Sequence, residues 1–286
     1  MSQLLHSLKK RSNASTQSPR FSTSHPFYRS LLFHNLIRMD HTGRGMPDGI
    51  RKMMDTHILK ERPSPSLPEE RLLEIVEIAE NLADSAEAGV SNLISTELFP
   101  VRRLYIGKGG ATMWLTDALP YNPIYGHPLT APKPDYHYGY PAGQKSTWTS
   151  EQGAVVDHPF ASPYTQPGRG NNFPFLALEL RSESTGGTLW HAENQVAGSG
   201  SYCVNAMRWL LKQASPTQVI PVTDCVAFTS CMTHREMVFY VHYYAEEDSY
   251  FYMCYLQRFC GETCGHCRPS LVDIPSSHVH VMPLAM

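Results

Sequence analysis

Charged residues are scarce in this chain, and several common signatures are missing from it. Only 17% of the 286 residues are Asp, Glu, Lys or Arg, and the formal net charge is -2, so a polyanion would need a local basic patch or a metal. No window approaches eighteen apolar residues, so no transmembrane helix is predicted. Without a Gly-x-Ser-x-Gly elbow, a phosphate-loop motif or a His-x-x-x-His pair, the corresponding hydrolase, nucleotide-binding and histidine-metal classes are not predicted.

Acidic residues are absent from the first 39 positions, which are basic and rich in Ser and Thr. We expect residues 1–60 to form a basic, disordered arm and a lead-in to the folded domain. A mitochondrial presequence is the alternative, because such segments are also basic and poor in acids. The seven cysteines and the lack of an apolar signal sequence favour free thiols in an intracellular protein. Nucleus or cytoplasm is the expected compartment, with the mitochondrion as the alternative.

The most informative stretch is residues 173–184, which reads Phe-Pro-Phe-Leu-Ala-Leu-Glu-Leu-Arg-Ser-Glu-Ser. Its short, unbroken apolar run is typical of a strand that is covered on both faces. Ionised groups are costly to bury without partners, so we expect Glu179 and Arg181 at the exit of this strand, where water or a cation reaches them. Because side chains alternate along a strand, these two residues point to the same face.

Helical periodicity is clearest after Pro68, where apolar residues recur at three- and four-residue spacing. Proline followed by two glutamates suits a helix start, so we expect one helix running to about residue 97, or a pair broken at Gly89. Other helical segments are predicted over 49–60 and 192–213. The segments that we expect to be strands are 136–140, 226–230, 237–244 and 250–256.

This order of elements predicts an α+β or three-layer α/β domain with a mixed sheet over residues 61–258. Within it, residues 141–172 are rich in Pro, Gly and Ser. So long a segment without periodicity is expected to be either a functional loop or disordered. Residues 259–286 show no clear periodicity and form an irregular, cysteine-containing tail.

Two acidic residues at predicted strand ends form the candidate site. Pro134-Asp135 precedes one strand, and Glu179-Leu180-Arg181 ends another. Two carboxylates on neighbouring strands suit Mg²⁺, which prefers oxygen ligands and keeps some of its waters. Such a metal binds a phosphate oxygen and acidifies a water for in-line attack, while an adjacent cation orients that water or stabilises developing charge.

The arrangement resembles the PD-(D/E)XK nuclease superfamily, and more narrowly a family of uncharacterised fungal proteins with a PD-(D/E)XK nuclease-like domain. The resemblance extends from about residue 60 to residue 257 and is carried by an ordered set of stretches. These stretches are residues 132–135, 175–183, 192–206 and 238–246. The resemblance implies a restriction-endonuclease-like αβββαβ core, with a mixed central sheet flanked by helices. It also implies a Mg²⁺-dependent phosphodiesterase that acts on DNA, with Mn²⁺ as the alternative metal.

Carried over by residue, the resemblance makes Asp135 and Glu179 metal ligands, with the Leu180 carbonyl as a third. Gln195, in the following helix, matches a glutamine that lies near the site in related nucleases. A carboxylate from the first core helix often assists; the candidates here are Glu87 and, as second choice, Glu97. The structural alternatives stay open: a turn residue for Asp135, a strand-end ion pair for Glu179 and surface positions for the helical residues.

Arg181 stands where the family pattern has lysine. Arginine keeps the positive charge but does not deprotonate in proteins, so it can stabilise charge but cannot act as a general base. This departure puts turnover in doubt. The first alternative is therefore a catalytically inactive nuclease-like fold that binds nucleic acid or a protein.

The tail contains the motif Cys260-x3-Cys264-x2-Cys267, with His266 inside it. The spacing matches the iron–sulfur motif of radical SAM enzymes, but too few residues follow it for the barrel that those enzymes need. Thiolates and imidazoles suit Zn²⁺, so a zinc-clip interaction protein is the second alternative, beside the simpler interpretation that the spacing is incidental. Further zinc ligands would be His278 and His280.

Overall fold

The computed structural model describes residues 21–60, 69–82, 87–93, 106–143, 148–168 and 170–260. Within these ranges the chain forms a mixed α+β fold, in which one seven-stranded sheet lies between helices. The helices are α1 (Tyr28–His34), α2 (Asp48–Met53, extended by a π turn, Met54–Ile58), α3 (Glu69–Asn81), α4 (Glu87–Leu93), α5 (Ser150–Val156) and α6 (Leu189–Ala214). The strands are β1 (Ile37–Asp40), β2 (Gly107–Gly109), β3 (Tyr136–Pro141), β4 (Asn171–Leu180), β5 (Ala227–Met232), β6 (Glu236–Ala245) and β7 (Tyr250–Cys260).

The sheet is mixed, with the strand order β1-β7-β6-β5-β4-β3-β2. Strands β2, β3 and β4 form an antiparallel meander, and β5, β6 and β7 form a second one. The two meanders join where β4 and β5 run parallel, and α6 makes the crossover that a parallel pair requires. On the far edge, β1 pairs in parallel with β7. The ends of β4 and β5 therefore lie side by side in the middle of the sheet.

Helix α6 packs along one face of the sheet, against β4, β5 and β6. The Thr188 side chain accepts a hydrogen bond from the His191 N–H and caps the helix. Small and β-branched residues on its inner side are fully buried, among them Ala192, Val196 and Gly200. A Cβ on Gly200 would lie 2.3 Å from the His242 ring, so glycine lets the helix approach β6 closely.

The opposite face of the sheet carries two smaller hydrophobic clusters. Ile50 and Met54, from α2 and its π turn, pack against Tyr243 and Cys254 of the second meander. The other cluster covers the ends of β3, β4 and β5, close to the candidate site. Its buried members are Tyr138, Leu178, Leu180, Met232 and Met237. Both faces of β4 are thus covered, which agrees with its continuous apolar sequence.

The predicted mixed α+β class, the helix over 192–213 and the four strands beyond the central one are confirmed, with bounds that shift by a few residues. The predicted break at Gly89 is wrong: α3 ends at Asn81, and Gly89 lies inside α4. A glycine costs a helix only about 1 kcal/mol relative to alanine, too little to fix a break. Residues 141–172 also contain more structure than expected, because α5 begins there with a capping box between Thr149 and Gln152.

The basic N-terminal arm differs from the prediction over residues 21–39, which fold onto the domain, whereas the helix predicted over 49–60 is present as α2 and its π turn. Tyr28 and Leu32 of α1 are 1% and 0% exposed, in the same core cluster as α6. Strand β1 extends the sheet through its pairing with β7. The few apolar residues of this segment bury enough surface to order it, although its overall composition is basic and polar. Residues 1–20 lie outside the described part of the chain.

Candidate functional site

The two acids of the predicted motif meet at one end of the sheet. Asp135 immediately precedes β3, and the antiparallel register pairs Tyr136 with Leu178, so Asp135 lies beside the end of β4. The Leu180 N–H donates a hydrogen bond of 2.8 Å to Asp135 Oδ2. This bond fixes the aspartate against the last residue of β4 and brings it next to Glu179, 44 positions along the chain.

A single cationic group contacts all three predicted ligands. Arg181 Nη1 donates a hydrogen bond of 2.5 Å to the Leu180 carbonyl and lies 3.9 Å from Asp135 Oδ2. Its Nη2 lies 3.8 Å from Glu179 Oε2. The Arg181 N–H donates to the Met232 carbonyl at 2.8 Å, which ties the arginine to the end of β5. Two carboxylates and a carbonyl oxygen thus converge on one guanidinium.

Glu179 is more deeply buried than the sequence predicts. Its side chain is 1% exposed, against 31% for Asp135 and 15% for Arg181. Glu179 pairs with Cys231 of β5, so its side chain lies on the face that α6 covers. Of the two partners expected at the strand exit, water or a cation, the structure places a cation, Arg181, beside Glu179. The expectation of a nearby cation agrees with the structure, because burying a carboxylate is costly without a positive partner.

The candidate site residues that were predicted to lie on helices are Gln195, Glu87 and Glu97. Gln195 lies in the first turns of α6, and its Oε1 is buried with no hydrogen-bond partner among the described residues. Glu87 is the first residue of α4, a helix that contacts β4, but its side chain lies outside the described part of the structure. Glu97 also lies outside the described residues. Of these three candidates, Gln195 is the one whose side chain the structure describes, and it has an unsatisfied amide oxygen.

A cleft of about 370 Å³ opens beside Asp135. Helix α4 contributes one wall, the loop after β2 contributes a second, and the ends of β3 and β4 form its base. The lining residues are Ala88, Ser91, Gly110, Ala111, Asp135, Tyr136 and Leu180. Its volume is in the range of small-molecule and cofactor sites. A group bound here would contact Asp135 and Leu180 directly.

Lys108 is a basic residue near the cleft that the sequence did not single out. Its Nζ lies 4.7 Å from the centroid of the Tyr136 ring and 5.8 Å from that of Tyr138. Desolvation by partial burial lowers the pKa of this lysine. The sequence feature that could have identified Lys108 is the run Gly-Lys-Gly-Gly at residues 107–110. At Gly110, for example, a Cβ would lie 2.4 Å from the Asp135 carbonyl oxygen, so side chains are excluded around the lysine.

Glu193 is a second charged residue that the motif did not assign. It lies in the second turn of α6, and Arg29 of α1 forms an ion pair with it. Its Oε1 accepts a hydrogen bond of 2.6 Å from the Tyr240 hydroxyl, and Arg29 Nε donates to Asn194 Oδ1 at 3.2 Å. The carboxylate thus anchors the N-terminal segment to α6. Its partners give Glu193 a structural role beside the site.

The residues around Arg181 suit the Mg²⁺ ion that the resemblance implies. Mg²⁺ prefers hard oxygen donors, and Asp135, Glu179 and the Leu180 carbonyl supply three of them. The guanidinium that these donors share is a stand-in cation, and two carboxylates around one positive charge leave a net negative charge. In the described ranges no group of three or more His, Cys, Asp or Glu side chains could hold a metal. The donor set therefore consists of two carboxylates and a backbone carbonyl.

The cysteine tail predicted as a zinc clip lies almost wholly outside the described residues. Cys260 ends β7, and the remaining candidates Cys264, His266, Cys267, His278 and His280 follow it. Elsewhere the described cysteines are free and buried. Desolvation by burial raises the pKa of Cys225 and that of Cys254 to about 12, so both thiols are protonated at neutral pH. These two residues are poor nucleophiles and poor metal ligands.

A family model described as a domain of unknown function (DUF7924) matches residues 74–266. No curated protein matches the chain. The matched region covers more than half of the sequence and contains Asp135, Glu179, Arg181 and Lys108. Helix α1 and strand β1 lie before it. The match shows that the residues around the site belong to a domain that is shared within this family. We infer the chemistry of the site from its geometry.

Proposed function

The chain belongs to the DUF7924 domain family, and we propose that its domain is a PD-(D/E)XK-like phosphodiesterase that cleaves DNA with Mg²⁺ or Mn²⁺. The observation that carries the proposal is the convergence of Asp135, Glu179 and the Leu180 carbonyl on one cationic group at adjacent strand ends. Such a set of hard oxygen donors suits a divalent ion. A phosphodiester is the substrate class that pairs with this ion, because its oxygens ligate Mg²⁺ readily.

The order of elements supports the proposal. With α5 treated as an insertion between β3 and β4, the chain order α4, β2, β3, β4, α6 and β5 is compatible with the αβββαβ order of the proposed restriction-endonuclease-like core. The three strands of the meander are antiparallel, and β5 returns parallel to β4 after the α6 crossover. The proposed ligands lie at the ends of the second and third strands of this core. Gln195 follows in the crossover helix.

Each residue of the site has a proposed role. Asp135, Glu179 and the Leu180 carbonyl would hold the metal, which when bound polarises a phosphate oxygen and acidifies a water. An arginine guanidinium is a permanent cation in proteins, so the proposed role of Arg181 is to stabilise negative charge on the phosphate and not to abstract a proton. The unsatisfied Gln195 Oε1 can accept a hydrogen bond from an ordered water.

The cleft supplies the binding surface for the strand. Tyr136 lines the cleft and presents an aromatic face, and Lys108 places a positive charge over that ring. Aromatic faces stack with bases and lysines contact phosphates in proteins that bind single-stranded nucleic acid. This pairing at the mouth of the site supports DNA as the substrate, even though the net charge of the chain is -2.

A cleavage assay with matched variants tests the proposal. Purified wild type, Asp135→Asn and Glu179→Gln are incubated with single- and double-stranded DNA in Mg²⁺, Mn²⁺ or EDTA. We expect metal-dependent cleavage by wild type and a loss of about a hundredfold or more in each variant, because each removes a metal ligand. Glu183→Gln is the control, since Glu183 is an exposed acid paired with Arg235. Equal cleavage by all proteins would overturn the proposal.

A catalytically inactive, DNA-binding domain is the second candidate. The observation that favours it is Arg181, whose guanidinium already satisfies part of the negative charge that a metal would neutralise. On this alternative the protein binds DNA with the same affinity in EDTA and in Mg²⁺, and it cleaves nothing. The same assay, with DNA binding measured in parallel, separates the two candidates.

A further inference from the structure

Arg181 and a divalent metal would use the same oxygen atoms. Its Nη1 hydrogen-bonds the Leu180 carbonyl at 2.5 Å and lies 3.9 Å from Asp135 Oδ2, and its Nη2 lies 3.8 Å from Glu179 Oε2. These are the three donors assigned to the metal. A metal bound at about 2.1 Å from such oxygens has no room for a guanidinium bonded to the same carbonyl. One cation therefore has to leave before the other binds.

We propose that Arg181 is an internal counter-ion that closes the metal site in the free protein, and that a substrate phosphodiester releases it. This inference rests on the proposed function for the identity of the metal site. A phosphate offers arginine two parallel, charge-assisted hydrogen bonds. When the phosphate draws the guanidinium away, Asp135 and Glu179 become available to the metal.

The charge balance favours this exchange. In the free protein one positive charge faces two carboxylates, one of them with a side chain that is 1% exposed. Removing Arg181 without replacement would leave that carboxylate buried beside another acid, which is costly. A divalent ion neutralises both acids, and the incoming phosphate supplies the negative partner that Arg181 then needs. Metal and phosphodiester therefore bind with positive coupling, and the coupling is reciprocal.

The exposure of the arginine agrees with a mobile role for its side chain. Arg181 is 15% exposed, so it lies at the boundary between the buried Glu179 and the more open Asp135. Its backbone is fixed to β5 through the Met232 carbonyl, so only the side chain has to turn. No strand or helix has to shift for the exchange. The proposed exchange thus involves a rotation of the Arg181 side chain alone.

The test measures Mn²⁺ binding directly, by calorimetry and by the electron paramagnetic resonance signal of free Mn²⁺. Wild type, Arg181→Met and Arg181→Lys are titrated without DNA and with a phosphorothioate oligonucleotide that resists cleavage. We expect Arg181→Met to bind Mn²⁺ at least about tenfold more tightly than wild type without DNA, because the competing charge is gone. We expect the oligonucleotide to tighten Mn²⁺ binding by wild type about tenfold and that by Arg181→Met much less.

Arg181→Lys keeps the charge but loses the planar fork, so its Mn²⁺ affinity should lie between those of the other two proteins. This variant also covers the case in which Arg181→Met folds poorly. Melting curves give a second readout: Arg181→Met should melt below wild type in EDTA and recover in Mn²⁺. The control is Arg235→Met, an exposed arginine paired with Glu183, whose Mn²⁺ affinity should equal that of wild type.

Equal Mn²⁺ affinities in wild type, Arg181→Lys and Arg181→Met, with or without DNA, would overturn the inference. That result leaves the proposed function intact if wild type still cleaves DNA with metal. The reverse outcome is also distinguishable. If Arg181→Met binds Mn²⁺ tightly through Asp135 and Glu179 but no variant cleaves DNA, the counter-ion inference stands and the phosphodiesterase proposal fails.

Discussion

At the residue scale, the site depends on a carboxylate that the fold buries beside another acid. Glu179 is 1% exposed and shares the Arg181 guanidinium with Asp135. Among these three side chains, two carboxylates face one monovalent cation. This is the electrostatic condition that favours a divalent ion or a further positive group. The chemistry proposed for the domain follows from this charge imbalance.

The lysine beside the cleft gives a prediction at the same scale. Lys108→Met should weaken DNA binding about three- to tenfold and reduce the slope of log affinity against log salt by about one, because one phosphate contact is lost. Fluorescence anisotropy with a labelled oligonucleotide in EDTA, at several salt concentrations, measures both quantities. Lys212→Met, at an exposed position near the end of α6, is the control. An unchanged salt slope in Lys108→Met would show that this residue does not contact DNA.

The sequence identifies the acids Asp135 and Glu179, but it does not identify all the residues that surround them in the fold. Asp135 and Glu179 stand out because charged residues at the ends of apolar strands are costly unless they have a function or a partner. Lys108 does not stand out, because β2 is only three residues long and shows no periodicity. The contacts of Arg181 also depend on the register between β3 and β4. Its partners are Leu180, Asp135, Glu179 and Met232. That register follows from packing and hydrogen bonding along the whole strands, which local sequence patterns do not specify.

At the scale of elements, α6 sets the geometry of the site because it carries Gln195 and covers Glu179. Two glycines three turns into this helix have different surroundings. A Cβ at Gly200 would lie 2.3 Å from the His242 ring, whereas a Cβ at Gly198 would meet no atom within 4 Å. Only Gly200 is therefore required for the close approach of α6 to β6. Gly198 weakens the helix with no packing benefit in return.

This difference gives a matched pair of substitutions in one helix. Gly198→Ala should raise the free energy of unfolding by about 1 kcal/mol, because alanine has the higher helix propensity. Gly200→Ala should lower it by about 1 to 3 kcal/mol, because the added methyl overpacks against His242 and outweighs the same propensity gain. Urea denaturation measures both changes. If the two variants have the same stability, the close packing of α6 on His242 is wrong.

Elements with strong periodicity could be predicted from the sequence, and those formed by tertiary contacts could not. The long helix and the hairpin strands have apolar residues at regular spacing, so their bounds differ from the structure by a few residues. Helix α1 has seven residues and no side-chain cap, and β1 has four residues. Both are held by the core rather than by local propensity. For the same reason, composition alone placed residues 21–39 in a disordered arm.

At the scale of the whole molecule, buried histidines make folding depend on pH. Burial lowers the pKa of His242 to about 3 and that of His137 to about 4. An unfolded histidine has a pKa near 6.5, so between these values the unfolded chain binds protons that the folded protein does not. Stability therefore rises with pH in this window. The contribution of the two buried, neutral histidines to stability is fully present above about pH 6.5 and is lost as the pH falls.

Replacing His242 should reduce this pH dependence. At pH 5, about 1.5 units below the unfolded pKa, His242 accounts for a loss of about 2 kcal/mol relative to neutral pH. His242→Gln should lose about 2 kcal/mol less than wild type between pH 7 and pH 5, whatever its stability at pH 7. Urea denaturation at both pH values gives the comparison. His158→Gln, at an exposed position, is the control and should lose as much stability as wild type.

The N-terminal segment, residues 21–60, is remote in sequence from the motif and packs against the rest of the domain. Arg29 forms an ion pair with Glu193, at the start of the helix that covers Glu179. Strand β1 pairs with β7 on the opposite edge of the sheet from β2 and the cleft. The family match begins at residue 74, after this segment. The described fold is therefore the matched domain together with the N-terminal elements α1, β1 and α2, which complete its sheet and its core.

The most direct test of the central claim locates a divalent ion in the assembled site. Crystals of the protein with a cleavage-resistant phosphorothioate oligonucleotide and Mn²⁺ give an anomalous scattering map. The account predicts one Mn²⁺ peak about 2.1 to 2.2 Å from carboxylate oxygens of both Asp135 and Glu179, with Arg181 turned to the phosphate. A bound oligonucleotide with no such peak, and with the Arg181 guanidinium still between the two carboxylates, would contradict it.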